Sequence, residues 1–258
     1  MDLTSRQFKR FSDLVYCQCG IHLHDGKKQL LSARLAKRLR QTKIDSIDGY
    51  LKRLENDPQE LIDFLDVITT NHTYFFRESQ HFEILDNGAA TIWSAASSSG
   101  EEAYSIAIYC LEKGFKPSIL ATDISTSVLR AGQMGVYPLE RVRSVEARLL
   151  HKYFQKGNGK WSGHVRVKNE IRRLVAFKRF NLISDSLPQQ LFDVIFCRNV
   201  LIYFDNQTKA KVVGKLMSAI EANGLFVIGG AESLNTIRHA FSYVKPSVYR
   251  KPGAGANA

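Results

Sequence analysis

Apolar residues recur at helical spacing through the first seventy residues of the chain. They repeat every three or four positions in four segments, which predicts four amphipathic helices. The four segments span residues 3–18, 27–41, 46–57 and 58–69. Asp45 or Ser46 could cap the third helix and Asp57 the fourth, where Pro58 suits a first helical turn. The pattern therefore predicts an all-α amino-terminal domain over residues 1–70.

After residue 70 the pattern changes to short apolar runs that alternate with helical stretches. The apolar runs lie at 91–95, 118–123, 192–197 and 224–230, and the clearest helical stretches lie at 103–114 and 209–222. This alternation is typical of a mostly parallel sheet with helices on both faces. We therefore expect an α/β domain of Rossmann-like architecture over residues 71–258.

The pattern of apolar and polar residues changes again within this domain, between about residues 140 and 180. Strand-like alternation surrounds Gly157, Gly159 and Gly163 there. A hairpin or a small antiparallel sheet fits this pattern better than another strand-helix unit. The sequence therefore predicts a small antiparallel β insert.

The net charge of +11 is the strongest compositional clue to the partners of this protein, because a positive field attracts acidic molecules. Nucleic acid, anionic lipid and acidic protein all remain open on charge alone. On the second helix, Leu31, Leu35 and Leu39 form an apolar stripe. We expect cations on the opposite arc at Lys27, Arg34, Lys37, Arg38 and Arg40. That arc is either a solvated surface or a dock for an acidic partner.

Several protein classes are not indicated. No apolar run approaches the roughly 18 to 20 residues that cross a bilayer, and the first residues lack the apolar stretch of a secretory signal. We therefore expect a cytoplasmic protein that does not insert into membranes. The four cysteines are scattered without paired CxxC spacing, so no metal site is predicted.

The first strand-helix turn of the α/β domain is rich in small residues. Residues 95–100 are Ala, Ala, Ser, Ser, Ser and Gly, and Glu101 and Glu102 follow them. Small side chains would let a ligand approach the backbone, and a carboxylate would attract a cationic ligand. The turn lacks GxGxxG, so a dinucleotide site is not indicated. Alternatively, the acids only complement the helix dipole.

Polar residues follow two further strands. Asp123 ends the next strand, 21 residues beyond Glu102, where an acid can receive a ribose diol or simply cap a helix. Arg198, Asn199 and Tyr203 follow a fully apolar strand, at the edge where ligands bind in open α/β sheets. Tyr203 could equally be an amphipathic core residue.

Six motifs occur in a fixed order: TNHTYFFRES, IWSAASSSGEEAYS, ATDIS, FNL, FDVIFCRNVLIYFD and IGGAESL. Together they closely resemble the CheR chemotaxis receptor methyltransferases over nearly the whole chain, and the resemblance includes a basic helical amino-terminal domain and a small β insert. The resemblance implies a class I S-adenosylmethionine-dependent methyltransferase domain, which releases S-adenosylhomocysteine. It also implies methyl transfer to glutamate carboxylates of chemoreceptors, forming methyl esters during chemotactic adaptation.

The resemblance also implies roles for individual residues. Arg77 and Tyr203 would be catalytic, with Arg77 near the transferred methyl and Tyr203 near the incoming glutamate. Glu102 would meet the amino-acid portion of the cofactor and Asp123 its ribose. The full cofactor set would be Asn71, Thr73, Arg77, Glu102, Asp123, Asn181, Leu182, Arg198 and Asn199.

For partners, the resemblance implies the acidic methylation helices of chemoreceptors, docked on the second helix through Arg34, Lys37, Arg38 and Arg40. The loop containing Lys156, Gly157 and Gly159 resembles that of relatives that also hold a receptor's carboxyl-terminal pentapeptide. A monomer that does not bind nucleic acid is implied.

The chain departs from the common family pattern in four places. The family often has Gly-Cys-Ser-Thr at 96–99, proline at 103 and His-Ser at 230–231, and the connection between 82 and 92 is short here.

A glutamate carboxylate is already ionised at neutral pH, since its unperturbed pKa is about 4.3, so methyl transfer needs no general base. Two alternatives stay open. A nucleic-acid methyltransferase would typically have an Asn/Asp-Pro-Pro-aromatic turn or a Pro-Cys nucleophile after the fourth strand, and CRNVLIYF has neither. A non-catalytic module that binds cofactor or receptor differs from the enzyme only in turnover.

Overall fold

A computed structural model describes residues 3–69, 71–86 and 88–253. Its first part contains four helices, as the sequence predicted. These are α1 (Ser5–Cys19), α2 (Lys28–Thr42), α3 (Ile47–Asn56) and α4 (Pro58–Ile68). Ser46, rather than Asp45, caps α3 by accepting from the Gly49 amide, and Asp57 caps α4 by accepting from two amides. The helices bury one shared apolar core that includes Phe11, Leu35 and Phe64.

The second part is built on a seven-stranded sheet. Its strands are β1 (Thr91–Ala95), β2 (Ser118–Asp123), β6 (Val175–Arg179), β7 (Phe192–Phe196), β8 (Ile220–Val227), β9 (Ser242–Lys245) and β10 (Val248–Arg250). The strand order is β6-β2-β1-β7-β8-β10-β9. The first five of these strands pair in parallel, and β10 pairs antiparallel with both β8 and β9. The predicted Rossmann-like fold is confirmed, with a terminal hairpin that the sequence pattern did not predict.

Helices cover both faces of this sheet. They are α5 (Glu101–Glu112), α6 (Thr126–Met134) and α9 (Asn206–Ser218). Successive residues of β1 point to opposite sides, so Ile92 joins the core under α5 and Trp93 joins the core under α9. The prediction that the last helix continues to residue 222 is wrong, because Ile220 already pairs with Phe192 in the sheet.

The β insert is a separate three-stranded antiparallel sheet. It consists of β3 (Val136–Pro138), β4 (Phe154–Lys156) and β5 (His164–Val167), in the order β3-β5-β4. Short helices α7 (Ala147–Tyr153) and α8 (Asn169–Arg172) flank it. The estimated limits of 140 and 180 differ from these bounds, since β3 starts at 136 and β6 belongs to the large sheet.

Short 3₁₀ segments connect several of these elements. They span Asp25–Lys27, Ser79–Leu85, Leu139–Val142, Gly159–Trp161 and Leu201–Tyr203. Among the residues that the structure describes, no helix is both long and apolar enough to cross a bilayer.

Candidate cofactor and catalytic site

The candidate site is a cavity at the carboxyl edge of the parallel strands. It lies where the strand order reverses between β1 and β7, the usual position of a ligand in an open α/β sheet. Its volume is about 960 Å³, including solvent at the mouth. All predicted cofactor and catalytic residues line it: Asn71, Thr73, Arg77, Glu102, Asp123, Asn181, Leu182, Arg198, Asn199 and Tyr203.

The turn between β1 and α5 forms one wall of the cavity. Ala96 and Ser98 have φ values of 66° and 50°, in the left-handed region that non-glycine residues rarely occupy. The amide of Ser97 donates to the Thr122 carbonyl at 2.8 Å, which ties the turn to β2. The Ser97 hydroxyl is buried and has no hydrogen-bond partner among the described residues. The turn thus presents small side chains and an unpartnered hydroxyl to a ligand.

Asp123 lies buried at the end of β2, where it organises the same turn. Its carboxylate accepts hydrogen bonds from the amides of Ser98 and Ser125, both at 2.9 Å. Burial raises the pKa of Asp123 to about 6, although these amides favour the ionised form. The carboxylate retains lone pairs that could receive hydroxyl donors.

Arg198 connects three parts of the cavity wall. Its guanidinium, only 2% exposed, donates to Glu102 and to Glu78, at 2.9 Å each. It also donates to the carbonyl of Arg77 at 2.8 Å. Glu102 in turn accepts from the Ser94 hydroxyl at 2.6 Å. Since two carboxylates flank one guanidinium, the buried charge of Arg198 is compensated.

A second carboxylate holds the loop after β7. Asn199 has a φ of 59°, and its amide donates to Glu232 at 2.8 Å. Glu232 also accepts from the amides of Gly229 and Ile202. Burial raises the pKa of Glu232 despite these bonds. Glu78 and Glu232 lie within the quoted motifs. Their spacing in the sequence did not indicate that they would hydrogen-bond to Arg198 and Asn199.

Arg77 lies beside the cavity with its charge only loosely paired. Its guanidinium donates to the His72 carbonyl at 3.1 Å and lies 3.7 Å from Glu78. The guanidinium carbon also lies 5.8 Å from the centre of the Tyr74 ring, within cation-π range. Tyr203 lines the same cavity and is half-buried. An anionic substrate group could therefore meet both side chains at one site.

The structure corrects the predicted basic face of α2. Arg38 points inward, where it donates to Glu60 at 2.7 and 2.8 Å and to Asp63 at 2.8 Å. Because Arg38 follows Leu31 by two helical turns, it lies on the buried side of the helix. Arg34 is half-buried and donates to the Ile68 carbonyl. Only Lys37 and Arg40 of the four predicted docking cations are exposed.

The surplus positive charge lies mainly around the β insert. Residues 141–179 contain twelve Lys and Arg against two Glu, whereas residues 1–70 contain twelve against ten acids. The amino-terminal domain is thus less basic than predicted. Lys156 is the last residue of β4, and Gly157 and Gly159 follow it in the connection to β5; none of the three lines the cavity.

The cavity also includes residues that the sequence did not single out. They are Cys19, Ile21, Thr69, His72, Ile124, Phe180, Val200 and Phe204. Five of these eight residues are sequence neighbours of predicted site residues, so a rule that included such neighbours would find them: His72, Ile124, Phe180, Val200 and Phe204. Cys19 and Ile21 come from α1 and the residues after it, and no sequence signal connects them to the sheet.

Cys197 has no sign of an activated nucleophile. It is fully buried, and burial raises its pKa well above the usual range of a thiol. Within residues 3–69, 71–86 and 88–253, no group of three or more His, Cys, Asp or Glu is arranged to hold a metal ion.

Both parts of the chain match models of known protein families. Residues 6–69 match the family model described as "CheR methyltransferase, all-alpha domain", and residues 71–250 match "CheR methyltransferase, SAM binding domain". The chain is 39% identical to chemotaxis protein methyltransferase 2 of Pseudomonas aeruginosa, covering 95% of this chain and 93% of that one. It is 36% identical to the chemotaxis protein methyltransferase of Salmonella typhimurium, covering 96% and 90%. The corresponding protein of Borreliella burgdorferi is 35% identical, with 97% and 96% covered.

Proposed function

The chain belongs to the CheR family of S-adenosylmethionine-dependent methyltransferases that act on chemoreceptors in chemotaxis, and on this premise we propose that it methylates glutamate side chains. The finer assignment is a protein-glutamate O-methyltransferase that forms methyl esters. The observation that supports it best is that Arg77 and Tyr203 line the same cavity as Glu102 and Asp123.

The residues present fit the cofactor chemically. The carboxylate of Glu102, which lines the cavity, suits a ligand that carries an amino group and a sulfonium charge. Asp123 can accept hydrogen bonds from a ribose diol, and the buried Ser97 hydroxyl has no other described partner. S-adenosylmethionine supplies an electrophilic methyl on its sulfonium. We assign the nine predicted cofactor residues to its binding as part of this proposal.

The role of the protein in the reaction is to bind and orient. A glutamate with an ordinary pKa of about 4.3 already carries the lone pair that attacks, so no side chain has to remove a proton. Arg77 and Tyr203 would direct the carboxylate, and a well-oriented pair gains an effective molarity of about 10⁵ M or more. Because Arg77 already contacts His72 and Tyr74, it would hold the carboxylate without fully neutralising it.

The departures from the family pattern are compatible with this function. The amide of Gly230, rather than a side chain, donates to Glu78 at 2.9 Å. A β-carbon at this position would lie 3.6 Å from Glu78, an ordinary contact. Ala96 adopts the left-handed turn conformation in spite of its side chain. Neither departure removes a contact from the cavity wall.

We further propose how the receptor is held. The receptor helices would dock near Lys37 and Arg40, whose side chains are exposed. The loop containing Lys156, Gly157 and Gly159 would hold a receptor's carboxyl-terminal pentapeptide. We also propose that the boundary between the two domains lies between residues 70 and 71. The protein is proposed to be a monomer.

The test is incubation with tritiated S-adenosylmethionine and chemoreceptor-containing membranes, followed by mild alkali. Glutamyl esters release volatile methanol, so released tritium measures esterification. We expect release with the parent chain and with Arg173→Ala, an exposed cation outside the cavity, and none above background with Arg77→Ala. Alkali-stable label on the receptor would contradict the glutamate assignment.

A further inference from the structure

The segment that carries Arg77 contains no helix or strand, and side chains from other elements hold its backbone. We call residues 71–78 the reaction loop. The amide of Phe76 donates to the Ser105 hydroxyl at 2.9 Å. The carbonyl of Arg77 accepts from the guanidinium of Arg198 at 2.8 Å. The position of this loop therefore depends on tertiary contacts rather than on secondary structure of its own.

The backbone of the reaction loop is strained on both sides of Arg77. Phe76 has a φ of 57° and Glu78 a φ of 49°, in the left-handed region that residues with side chains rarely occupy. Such conformations persist only where the surrounding structure fixes them. The contacts that hold the loop therefore determine where the guanidinium of Arg77 lies.

Two of these contacts come from the β insert, between β3 and α7. The guanidinium of Arg141 donates to the Thr73 carbonyl at 2.9 Å. The same nitrogen lies 3.3 Å from the carboxylate of Glu101, which is only 1% exposed at the start of α5. The hydroxyl of Ser144 donates to the Phe75 carbonyl at 2.9 Å. Arg141 thus connects the reaction loop to a buried carboxylate as well as to the insert.

We infer that Arg141 is a positioning residue for methyl transfer, which fixes the reaction loop and, through the loop, the side chain of Arg77. Arg141 does not line the cavity, so it acts through the loop and not by contact with the cofactor or the substrate. The β insert, beyond any role in holding a receptor, then sets the geometry of the reaction centre. The effect on rate rests on the proposed function, whereas the hold on the loop is measurable without methyl transfer.

Steady-state methylation of chemoreceptor-containing membranes by full-length variants tests this role. Arg141→Ala should lower kcat about tenfold, because a small displacement of Arg77 misorients the carboxylate that attacks. The KM for the receptor and the dissociation constant of S-adenosylhomocysteine should stay within about twofold of the parent values, since a tenfold change in kcat alone reports orientation. Arg141→Lys keeps a charged donor and should recover kcat to within about threefold of the parent.

Arg143→Ala is the matched control. It removes the same charge two positions away, from an exposed side chain that does not line the cavity. Both kcat and KM should stay at the parent values. Arg141→Met keeps much of the aliphatic stem without a donor, so it should reproduce the loss in kcat if the alanine variant does not fold.

Amide hydrogen exchange of the cofactor-free protein measures the hold on the loop directly. In Arg141→Ala, peptides that cover residues 73–78 should exchange about tenfold faster, while peptides from α9 should exchange as in the parent. Arg143→Ala should leave both sets of peptides unchanged.

Unchanged exchange in the reaction loop of Arg141→Ala would overturn the positioning role. A parent-like kcat would also overturn it, as would a loss confined to KM or to cofactor affinity. An equal loss in Arg143→Ala would assign the effect to net charge and overturn it too. If the parent forms no glutamyl ester, the proposed function fails, and the exchange rates still decide whether Arg141 holds the loop.

Discussion

The guanidinium of Arg198 donates a 2.9 Å hydrogen bond to Glu102, which lies 96 positions earlier in the chain. The sequence predicted each residue as a separate cofactor contact. In the structure they contact each other, and Glu78 completes a row of two carboxylates around one guanidinium. Arg198 therefore holds Glu78 and Glu102 together as well as bordering the cavity.

Arg198→Met should destabilise the protein and weaken cofactor binding together. Removing the cation leaves Glu78 and Glu102 facing each other in a partly buried site, which costs about 3 kcal/mol of unfolding free energy. Urea unfolding measures this loss, and titration with S-adenosylhomocysteine should show a dissociation constant raised at least about tenfold. Arg198→Lys should recover only part of both losses, because one ammonium cannot replace the planar fork. Full recovery by lysine would argue against the paired geometry.

Cofactor affinity should depend on pH through Asp123. Its pKa is raised to about 6, and ribose hydroxyls donate to the ionised form. The dissociation constant of the cofactor should therefore be lowest above pH 6 and should rise by up to about tenfold for each pH unit below it. Titrations between pH 5 and pH 8 measure this slope. Asp123→Asn should bind weakly at every pH without the slope, and a slope that persists in this variant would assign it to another group.

The raised pKa of Asp123 has an opposite effect on the stability of the cofactor-free protein. The folded state holds its proton more tightly than the unfolded chain, whose aspartate has a pKa of 3.8. The contribution of Asp123 to unfolding free energy is therefore greatest below pH 3.8 and is lost as the pH rises to about 6. Comparison of the parent and Asp123→Asn by urea unfolding across this window isolates the effect from other carboxylates.

Two arginines of α2 should behave differently when truncated. Arg38→Ala removes the partner of Glu60, which is 6% exposed and also accepts from Tyr50. We expect a loss of about 3 kcal/mol in unfolding free energy. Arg40→Ala, on the exposed side of the same helix, should change stability by less than about 0.5 kcal/mol. Equal effects in urea unfolding would contradict the inward orientation of Arg38.

Helical geometry could have predicted that orientation, because positions 31 and 38 are two turns apart on one face. Strand ends were sufficient to predict Asp123, Arg198 and Asn199, since parallel strands bring their carboxyl ends to one edge. The close approach of the end of α1 to the methyltransferase domain was not predictable, because it depends on tertiary packing at Gly20. Likewise, the residues around Ile220 do not indicate that the helix has ended there. Ile220 is a strand residue because it pairs with Phe192 in the sheet.

Ala96→Gly should stabilise the protein. Ala96 has a φ of 66°, and the left-handed conformation costs a residue with a side chain about 1 kcal/mol relative to glycine. The melting temperature should rise by a few degrees, roughly as expected for about 1 kcal/mol in a chain of this size. Ala95→Gly is the neighbouring control: Ala95 is buried in β1, so glycine there should lower the melting temperature. An unchanged melting temperature for Ala96→Gly would mean that the turn is not strained.

The two exposed basic surfaces should contribute to receptor methylation in separable ways. Lys37→Glu combined with Arg40→Glu reverses two charges beside the proposed docking site, so kcat/KM should fall about tenfold at low salt for any receptor. Lys156 is the last residue of β4 in the β insert, and Lys156→Glu should slow methylation only of receptors that retain their carboxyl-terminal pentapeptide. Initial rates with full-length and truncated receptors at two salt concentrations distinguish these effects. If Lys156→Glu slowed both receptors equally, the insert would act as a general electrostatic surface rather than a tether.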